Sequence, residues 1–168
     1  MTEFYTAQVC LSGHCIDSCY EYPDRNSLYY KKGETETKFC DKCGEALITQ
    51  CPECKTPIRG DIPLTHIIDY FPPNYCHSCG KPFPWLDKKI KAAIEMAELE
   101  EVLTSEEIVQ LTEYAQDITT DTPSAQVSAK RITILFRKFA SSSLPAIRAL
   151  FVDIASDTAK KMLTDGRL

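Results

Sequence analysis

The chain has 168 residues, of which 43% are hydrophobic and 26% charged, so it can form one ordinary core or a metal-stapled module beside a compact helical one. Its formal net charge of −5 disfavours general affinity for nucleic acid. No apolar run approaches the roughly 20 residues needed to span a bilayer, and the first ten residues have neither a basic nor an apolar segment. We therefore expect no membrane association, no secretion signal and a cytoplasmic protein.

The cysteines and histidines divide the chain into two regions. All nine cysteines and all three histidines lie before residue 80, and an odd number of clustered cysteines in a reducing compartment indicates metal ligands rather than disulfides. Alternating runs such as "FYTAQVC" and "EALIT" predict strands in this region, whereas helix formers at helical spacing dominate from Pro84 onward. The sequence predicts an α+β fold, with a double zinc ribbon over residues 1–83 and a four-helix domain over residues 84–168.

Four short segments have the spacing of metal-binding knuckles, in which two ligands flank a tight turn. They are Cys10 with His14, Cys40 with Cys43, Cys51 with Cys54, and Cys76 with Cys79. A Cys-x-x-Cys turn followed by glycine, as at Gly44 and Gly80, suits a tetrahedral metal because the turn aims backbone amides at the sulfurs. The glycine can take the positive φ that closes the turn. Four such knuckles within about 70 residues indicate zinc binding.

The segment between the two central knuckles favours one way of pairing them. "GEALITQ" is typical of a short strand, which would hold Cys43 and Cys51 roughly 26 Å apart if fully extended at about 3.3 Å per residue. Sequential pairing therefore assigns one zinc ion to Cys10, His14, Cys40 and Cys43, and a second to Cys51, Cys54, Cys76 and Cys79. Two alternatives stay open. One is a cross-brace that joins knuckle one to three and two to four, and the other is a nested arrangement with a large loop-closure cost.

The spacing within each sequential pair is typical of a zinc ribbon. Roughly 20 to 30 residues separate its two knuckles, which would form short antiparallel β-hairpins whose tips clamp the ion. Such a module buries little apolar surface, so the metal must supply most of its folding free energy, on the order of 10 kcal/mol per structural site. We predict two structural Zn²⁺ ions and an N-terminal region that unfolds without them.

The first site has two candidates for its fourth ligand. His14 is favoured, and the adjacent Cys15 is the alternative. Cys15 and Cys19 otherwise fit small residues on a strand, although their spacing would also suit a redox pair. His77 lies inside the last knuckle and His66 in an apolar run, and neither is expected to bind metal.

Catalytic motifs are absent from the sequence. It contains no glycine-rich phosphate loop, no hydrolase nucleophile motif and no zinc-protease motif. Both proposed zinc sites also have four protein ligands, which leaves no open position for water. We therefore disfavour an enzyme.

Apolar residues at spacings of three and four predict four helices in the second region. The first begins at Pro84, a capping box over Thr104–Glu107 introduces the second, and Pro123 precedes the third. The fourth is predicted to run from Leu144 to near Gly166. Their apolar stripes are expected to form the core of a bundle.

A basic face is predicted on the third helix. Its members fall on one arc opposite the apolar stripe, where they could contact a polyanion: Lys130, Arg131, Arg137 and Lys138. The competing interpretation is a solvated face that is balanced by the glutamates of the first two helices. Zinc binding would add roughly −3 to the net charge, because seven thiolates outweigh two dications.

The succession of "CLSGH", "FCDKCG", "CPECKTPIRG", "YCHSCGKPFPW" and "DIASDTAKKML" resembles a bacterial family defined as a conserved domain of unknown function. The resemblance covers almost the whole chain and implies zinc knuckles ahead of a helical tail. It carries no activity over to this chain. The extra cysteines at Cys15 and Cys19 are where the sequence departs from the family pattern.

Two classes of function remain. We favour a non-catalytic zinc module that binds a macromolecular partner, in the first instance a protein. The alternative is nucleic-acid binding through the basic third helix and two aromatic loops, "LYYKK" over Leu28–Lys32 and "PFPW" over Pro82–Trp85. The partner's identity and the oligomeric state do not follow from the sequence.

Overall fold

The computed structural model describes residues 4–21, 37–61 and 70–165. Within these ranges three strands precede five helices: β1 Thr6–Cys10, β2 Cys15–Glu21, β3 Leu47–Ile48, α1 Pro84–Glu98, α2 Ser105–Asp117, α3 Pro123–Phe136, α4 Leu144–Ile154 and α5 Asp157–Asp165. The α+β class is confirmed, and the strands predicted in "FYTAQVC" and "EALIT" are β1 and β3. Among the helices of the described ranges, none is long and apolar enough to cross a membrane.

The chain divides into two compact units, Met1–Leu86 and Asp87–Leu168. The first contains the sheet and all the described knuckles. The second contains most of α1 and the helices α2 to α5. Whether the two regions fold independently, as the predicted division near Phe83 implies, stays a prediction.

The sheet of the first unit is antiparallel with the strand order β2-β1-β3. All five residues of β1 are buried, as expected for the central strand. Residues 58–61 extend the pairing, because Ala7 N donates to Ile58 O at 2.9 Å and Gly60 N donates to Tyr5 O at 2.6 Å. A Cβ at Gly60 would lie 2.0 Å from Ser18 O, so only glycine fits where these backbones meet.

A buried aromatic pair lies at the C-terminal end of the first unit. Phe83 and Trp85 stack with their ring centroids 4.5 Å apart, and their side chains are 2% and 1% exposed. Trp85 Nε1 donates to Pro73 O at 3.2 Å. The interpretation of Pro82–Trp85 as an aromatic loop available to nucleic acid is therefore wrong, because both rings are buried in the core. The other proposed loop, Leu28–Lys32, lies outside the described residues.

The core of the second unit is built from apolar positions on α2 to α5. Phe136 lies at its centre and meets Phe151 and Phe139 edge to face, with centroid distances of 5.4 Å and 6.2 Å. The predicted capping box is confirmed: Glu107 N donates to Thr104 Oγ1 at 3.2 Å, and Thr104 N donates to Glu107 Oε2 at 3.1 Å.

The predicted fourth helix is in fact two helices, which makes five instead of four. Helix α4 ends at Ile154, and Ala155 is extended with φ −73° and ψ 145°. Ser156 N turns away to donate to Ile118 O at 2.7 Å, and Ser156 Oγ accepts from Ala159 N at 3.4 Å at the start of α5. The apolar residues keep helical spacing across this break, so the sequence pattern did not predict that Ser156 ends one helix and caps the next. The predicted end near Gly166 lies outside the described residues.

Candidate metal centres

Three of the four knuckles have the same backbone geometry. In each, the first cysteine donates its N–H to the carbonyl five residues later and accepts from the N–H four residues later. These bonds are 2.8 Å and 2.8 Å at Cys40, 2.9 Å and 3.0 Å at Cys51, and 2.9 Å and 2.9 Å at Cys76. An isolated bridge closes each turn, Phe39 with Ala46, Gln50 with Pro57 and Tyr75 with Pro82. Each knuckle is thus a minimal hairpin.

The residue that follows each Cys-x-x-Cys turn adopts a positive φ. The angles are 73° at Gly44, 62° at Lys55 and 70° at Gly80. The sequence predicted this role for the two glycines but not for Lys55, whose Cβ makes the left-handed conformation less favourable by about 1 kcal/mol. Lys55 Nζ donates to Pro52 O at 2.6 Å across the same turn, which partly offsets that cost.

The first knuckle is one residue shorter. Cys10 N donates to His14 O and Gly13 N donates to Cys10 O, both at 2.9 Å, and Gly13 takes the positive φ of 87°. His14 N donates to Cys10 Sγ at 3.2 Å, so a backbone amide supports the sulfur as in other thiolate metal sites. This shorter turn joins β1 to β2 and brings the ring of His14 to the side of Cys10.

The structure gathers the candidate ligands into two clusters. In the first, His14 Nδ1 lies 3.6 Å from both Cys10 Sγ and Cys40 Sγ, and Cys10 Sγ lies 3.7 Å from Cys43 Sγ. In the second, the Sγ atoms of Cys51 and Cys79 are 3.8 Å apart and those of Cys54 and Cys76 are 3.6 Å apart. Within each cluster all four ligand atoms lie within 4.8 Å of one another, so each could hold a metal ion.

These two sets are the ones that sequential pairing groups together. Cys15, the alternative ligand, is a half-buried residue of β2 opposite Val9 and is not a member of either cluster. The side chain of Cys19 and the whole of His66 lie outside the described residues. His77 is exposed within its knuckle, and slight desolvation of its ring, together with the charge of Arg59, lowers its pKa. Metal binding by the eight clustered residues stays a prediction.

The separations fit a tetrahedral zinc ion. With Zn–S bonds of about 2.3 Å and Zn–N bonds of about 2.0 to 2.1 Å, tetrahedral ligands lie roughly 3.8 Å apart for two sulfurs and roughly 3.6 Å apart for sulfur and nitrogen. Three sulfur pairs, Cys10 with Cys43, Cys51 with Cys79 and Cys54 with Cys76, are 3.6 to 3.8 Å apart, and His14 Nδ1 is 3.6 Å from the sulfurs of Cys10 and Cys40. Both donor sets therefore suit a tetrahedral zinc ion in their chemistry and in these separations.

Each cluster has a thiol whose pKa is held near neutral. Hydrogen bonding with the hydroxyl and N–H of Thr56 lowers the pKa of Cys54 to about 6. Burial raises the pKa of Cys40, but backbone hydrogen bonds within its own knuckle outweigh it and lower the pKa to about 7. A backbone hydrogen bond from Lys81 favours the thiolate of Cys79, yet burial and the neighbouring thiols raise its pKa to about 12. Loading a dication must therefore release protons from thiols whose pKa is raised, such as Cys79.

Every knuckle presents one covered side and one open side. The first cysteine of each is buried, at Cys10, Cys40, Cys51 and Cys76, whereas the second cysteine of the last three is exposed, at Cys43, Cys54 and Cys79. An ion held by these residues would be anchored from the protein core and reachable from solvent. This geometry makes both sites accessible to a chelator.

Trp85 adjoins the first cluster, a contact that the sequence did not indicate. A Cβ at Gly13 would lie 3.0 Å from the Cβ of Trp85, so the glycine of the first knuckle packs directly on this side chain. Phe83 N donates to Asn74 O at 2.9 Å, just ahead of Cys76 in the last knuckle. The Phe83 and Trp85 pair therefore lies between the first knuckle and the segment that leads into the last knuckle.

The four basic residues of the proposed polyanion face are exposed, and binding of a polyanion by them stays a prediction. Helix α3 ends at Phe136, so Arg137 is its C-cap and Lys138 lies beyond it. Lys138 Nζ pairs with both carboxylate oxygens of Glu107 at 2.5 Å and 2.7 Å, which lowers the pKa of Glu107. The guanidinium of Arg131 lies 5.2 Å from the centre of the Tyr114 ring. Two of the four basic residues are thus engaged by α2, while all four remain exposed.

A comparison with protein families found one relationship that spans the chain. A family model described as "Uncharacterized protein conserved in bacteria (DUF2321)" matches residues 3–163. The matched range contains both clusters and extends into α5. The comparisons with curated proteins and with solved structures found no match.

Proposed function

We propose that this chain, which belongs to that bacterial family, is a non-catalytic zinc module of the cytoplasm that presents a metal-stapled surface to a protein partner. The observation that carries the zinc assignment is the pair of four-donor clusters whose atoms lie at tetrahedral separations. Thiolate and imidazole donors select zinc over magnesium or calcium, which prefer oxygen. Four protein donors fill a tetrahedral shell, so a structural role is favoured over a catalytic one.

The ligand residues of each cluster come from two different turns of the chain. Cys10 and His14 belong to the β1–β2 turn, while Cys40 and Cys43 come from a separate hairpin. An ion held by all four ties these hairpins together, and the second cluster does the same for residues 51–54 and 76–79. A structural zinc ion supplies binding free energy that becomes folding free energy. The residues of the chain supply the donors, the supporting amides and the turns.

Phe39 supports a protein-binding role. It lies directly before Cys40, pairs with Ala46 at the base of the knuckle, and is 62% exposed. An aromatic side chain on a metal-held turn loses little conformational freedom on binding, and such anchors dominate protein interfaces. Phe71, 80% exposed, is a second aromatic on the described surface of this unit. We propose Phe39 as an anchor for the partner.

Metal content tests the zinc assignment. Elemental analysis of protein purified without added metal should give two zinc ions per chain, with Zn–S distances of about 2.3 Å by X-ray absorption. His14→Ala and Cys79→Ser should each reduce the content to one ion, whereas the matched control Cys15→Ser should retain two. One ion in the wild type would contradict the two-site proposal. Iron found in the four-cysteine site would contradict the assignment of zinc there. If His14→Ala retained two zinc ions and Cys15→Ser lost one, Cys15 would be the ligand of the first site.

Capture from the native host tests the partner. The metal-loaded full chain is used as bait, and bound material is identified by mass spectrometry and by nuclease sensitivity. We expect a protein whose capture falls at least tenfold in Phe39→Ser, while that variant still holds two zinc ions. The control Val127→Ser removes another exposed apolar side chain, 53% exposed on α3, and should bind as wild type does. Equal capture by Phe39→Ser would contradict the anchor.

Nucleic-acid binding is the less favoured function. Lys130 and Arg137 are exposed, but the other two basic residues contact α2 and the Phe83–Trp85 pair is buried. We expect weak or no retention on single-stranded DNA at physiological salt. A sub-micromolar affinity that falls steeply with salt and disappears when Lys130 and Arg137 are both replaced by Glu would overturn the protein-partner proposal.

A further inference from the structure

Arg148 on α4 has an unusual environment. Its Nε and Nη2 atoms are buried and have no hydrogen-bond partner in the part of the chain that the structure describes. The guanidinium carbon lies 5.9 Å from the centre of the Phe136 ring, close to the outer limit of about 6 Å for a cation–π contact. Buried donors without acceptors cost stability, more so on a charged group, and native proteins rarely keep them without a reason.

A cavity that opens widely to solvent adjoins this side chain. Its volume is about 420 Å³, and it is lined by Ser141, Leu144, Pro145, Arg148, Ala149 and Val152. Pockets that hold small ligands typically measure about 300 to 1,000 Å³ and combine apolar walls with a few polar groups. Arg148 is the one ionisable residue among the six, and the hydroxyl of Ser141 is the other polar side chain. The cavity therefore combines a cationic group with aliphatic walls.

We propose that this cavity binds a small carboxylate on a short aliphatic chain, and that Arg148 is its anion-binding residue. Nε and Nη2 form one edge of the planar guanidinium, which matches the two oxygens of a carboxylate in a bidentate pair. One guanidinium balances one carboxylate, whereas a phosphate dianion would call for a second cation that the lining does not supply. Leu144 and Val152 provide apolar contact for the aliphatic chain.

Binding requires the guanidinium to move. Nε and Nη2 are shielded from solvent in the present conformation, so a ligand reaches them only when the side chain turns from Phe136 toward the cavity. The present contact with the Phe136 ring is long for a cation–π pair, and a bidentate carboxylate would satisfy both donors that it leaves unpaired. This inference does not depend on the metal sites, because every lining residue lies in the second unit.

The test is a titration of the zinc-loaded full chain with hexanoate, followed by NMR of the Arg148 Nε–Hε group. We expect saturable binding and a shift of that signal, with affinity at least tenfold weaker for hexanol, which lacks the charge, and for inorganic phosphate, which lacks the chain. Arg148→Met should weaken hexanoate binding at least tenfold, Arg148→Lys less, and the exposed control Lys130→Met not at all. Ala149→Phe should block the cavity and weaken hexanoate binding. It is the alternative test if Arg148→Met does not fold.

The following results would overturn the proposal. They are an absence of hexanoate binding, equal binding of hexanol, and unchanged hexanoate binding by Arg148→Met or, where that variant does not fold, by Ala149→Phe. A purely structural role for Arg148 would change the stability of Arg148→Met but would give no hexanoate response in the wild type. Tight binding of phosphate with weak binding of hexanoate would also contradict the assignment to a carboxylate on an aliphatic chain.

Discussion

The knuckles of the first unit and the helices of the second unit achieve order by different means. Of the largest fully buried side chains, four belong to the described residues of the first unit, Ile58, Phe83, Trp85 and Leu86, whereas eight lie on or beside α2 to α5. The first unit instead repeats short turns whose backbone hydrogen bonds aim thiols at common points. Helices bury their apolar stripes against one another without a ligand. In the first unit a small buried aromatic core therefore accompanies the predicted metal sites, whereas the second unit relies on helix packing.

Metal removal should produce the largest effect. A strong chelator should unfold residues before Phe83, since each site contributes on the order of 10 kcal/mol, while most of the helical signal persists. Trp85, the single tryptophan, packs on Gly13 of the first knuckle, so its fluorescence reports on the first unit. Circular dichroism at the same chelator concentrations follows the helices.

Readdition of zinc is the control and should restore the fluorescence. If fluorescence and helical signal disappear together in one transition, the helices depend on the metal-bound region. That result would contradict the expectation that the first unit depends on metal and the second unit folds without it.

A cavity that a substitution creates in the helical core provides the complementary test. Phe151 is fully buried and contacts Phe136 edge to face, so Phe151→Ala should lower the free energy of unfolding of the helices by about 3 to 5 kcal/mol. The zinc content should remain two ions per chain. Urea unfolding followed at a helical wavelength measures the first effect, and elemental analysis measures the second. Loss of zinc in this variant would show that the helical core supports the metal sites.

Sequence pattern predicts these two regions to different extents. Ligand spacing predicted both groupings that the structure brings together, because Cys-x-x-Cys turns are local and the segment that contains β3 is too extended to bring Cys43 and Cys51 to one ion. The capping box at Thr104 was predictable for the same reason. Contacts between distant residues were not: the packing of Gly13 on Trp85 and the pairing of Lys138 with Glu107 depend on tertiary structure. The break at Ser156 was missed because apolar periodicity outweighed a local capping signal.

Substitutions at the positive-φ residue after a cysteine pair should change stability by up to about 1 kcal/mol. The change is expected to be a loss at Gly44 and a gain at Lys55. Gly44→Ala should destabilise its ribbon by about 1 kcal/mol, because a Cβ at φ 73° is strained even though it meets no atom within 4 Å. Lys55→Gly relieves the same strain at φ 62°, but it also removes the bond to Pro52 O and adds backbone freedom to the unfolded chain. We expect a net gain below about 1 kcal/mol.

Both variants are compared by urea unfolding of zinc-loaded protein, followed by Trp85 fluorescence. Lys55→Ala is the matched control, since it removes the bond to Pro52 O and keeps the strained Cβ. If Lys55→Gly is less stable than Lys55→Ala, the left-handed strain does not govern this turn. Such a result would mean that the three knuckles are less alike than their hydrogen bonds indicate.

The smallest expected effect concerns the ion pair that joins α2 to the end of α3. Hydrogen bonds from Lys138 and from the backbone of Thr104 lower the pKa of Glu107 below its ordinary 4.5. A lowered folded-state pKa stabilises the fold above the unfolded value, and this contribution is lost as the pH falls from about 4.5 through the folded pKa. Zinc should leave the thiolates of the first unit before this range is reached, because protons compete for the sulfurs whose pKa values are highest. An NMR titration of the Glu107 carboxyl should show its pKa rising toward the ordinary value in Lys138→Met and unchanged in Lys130→Met. An unchanged pKa in Lys138→Met would mean that the ion pair between Lys138 and Glu107 does not persist in solution.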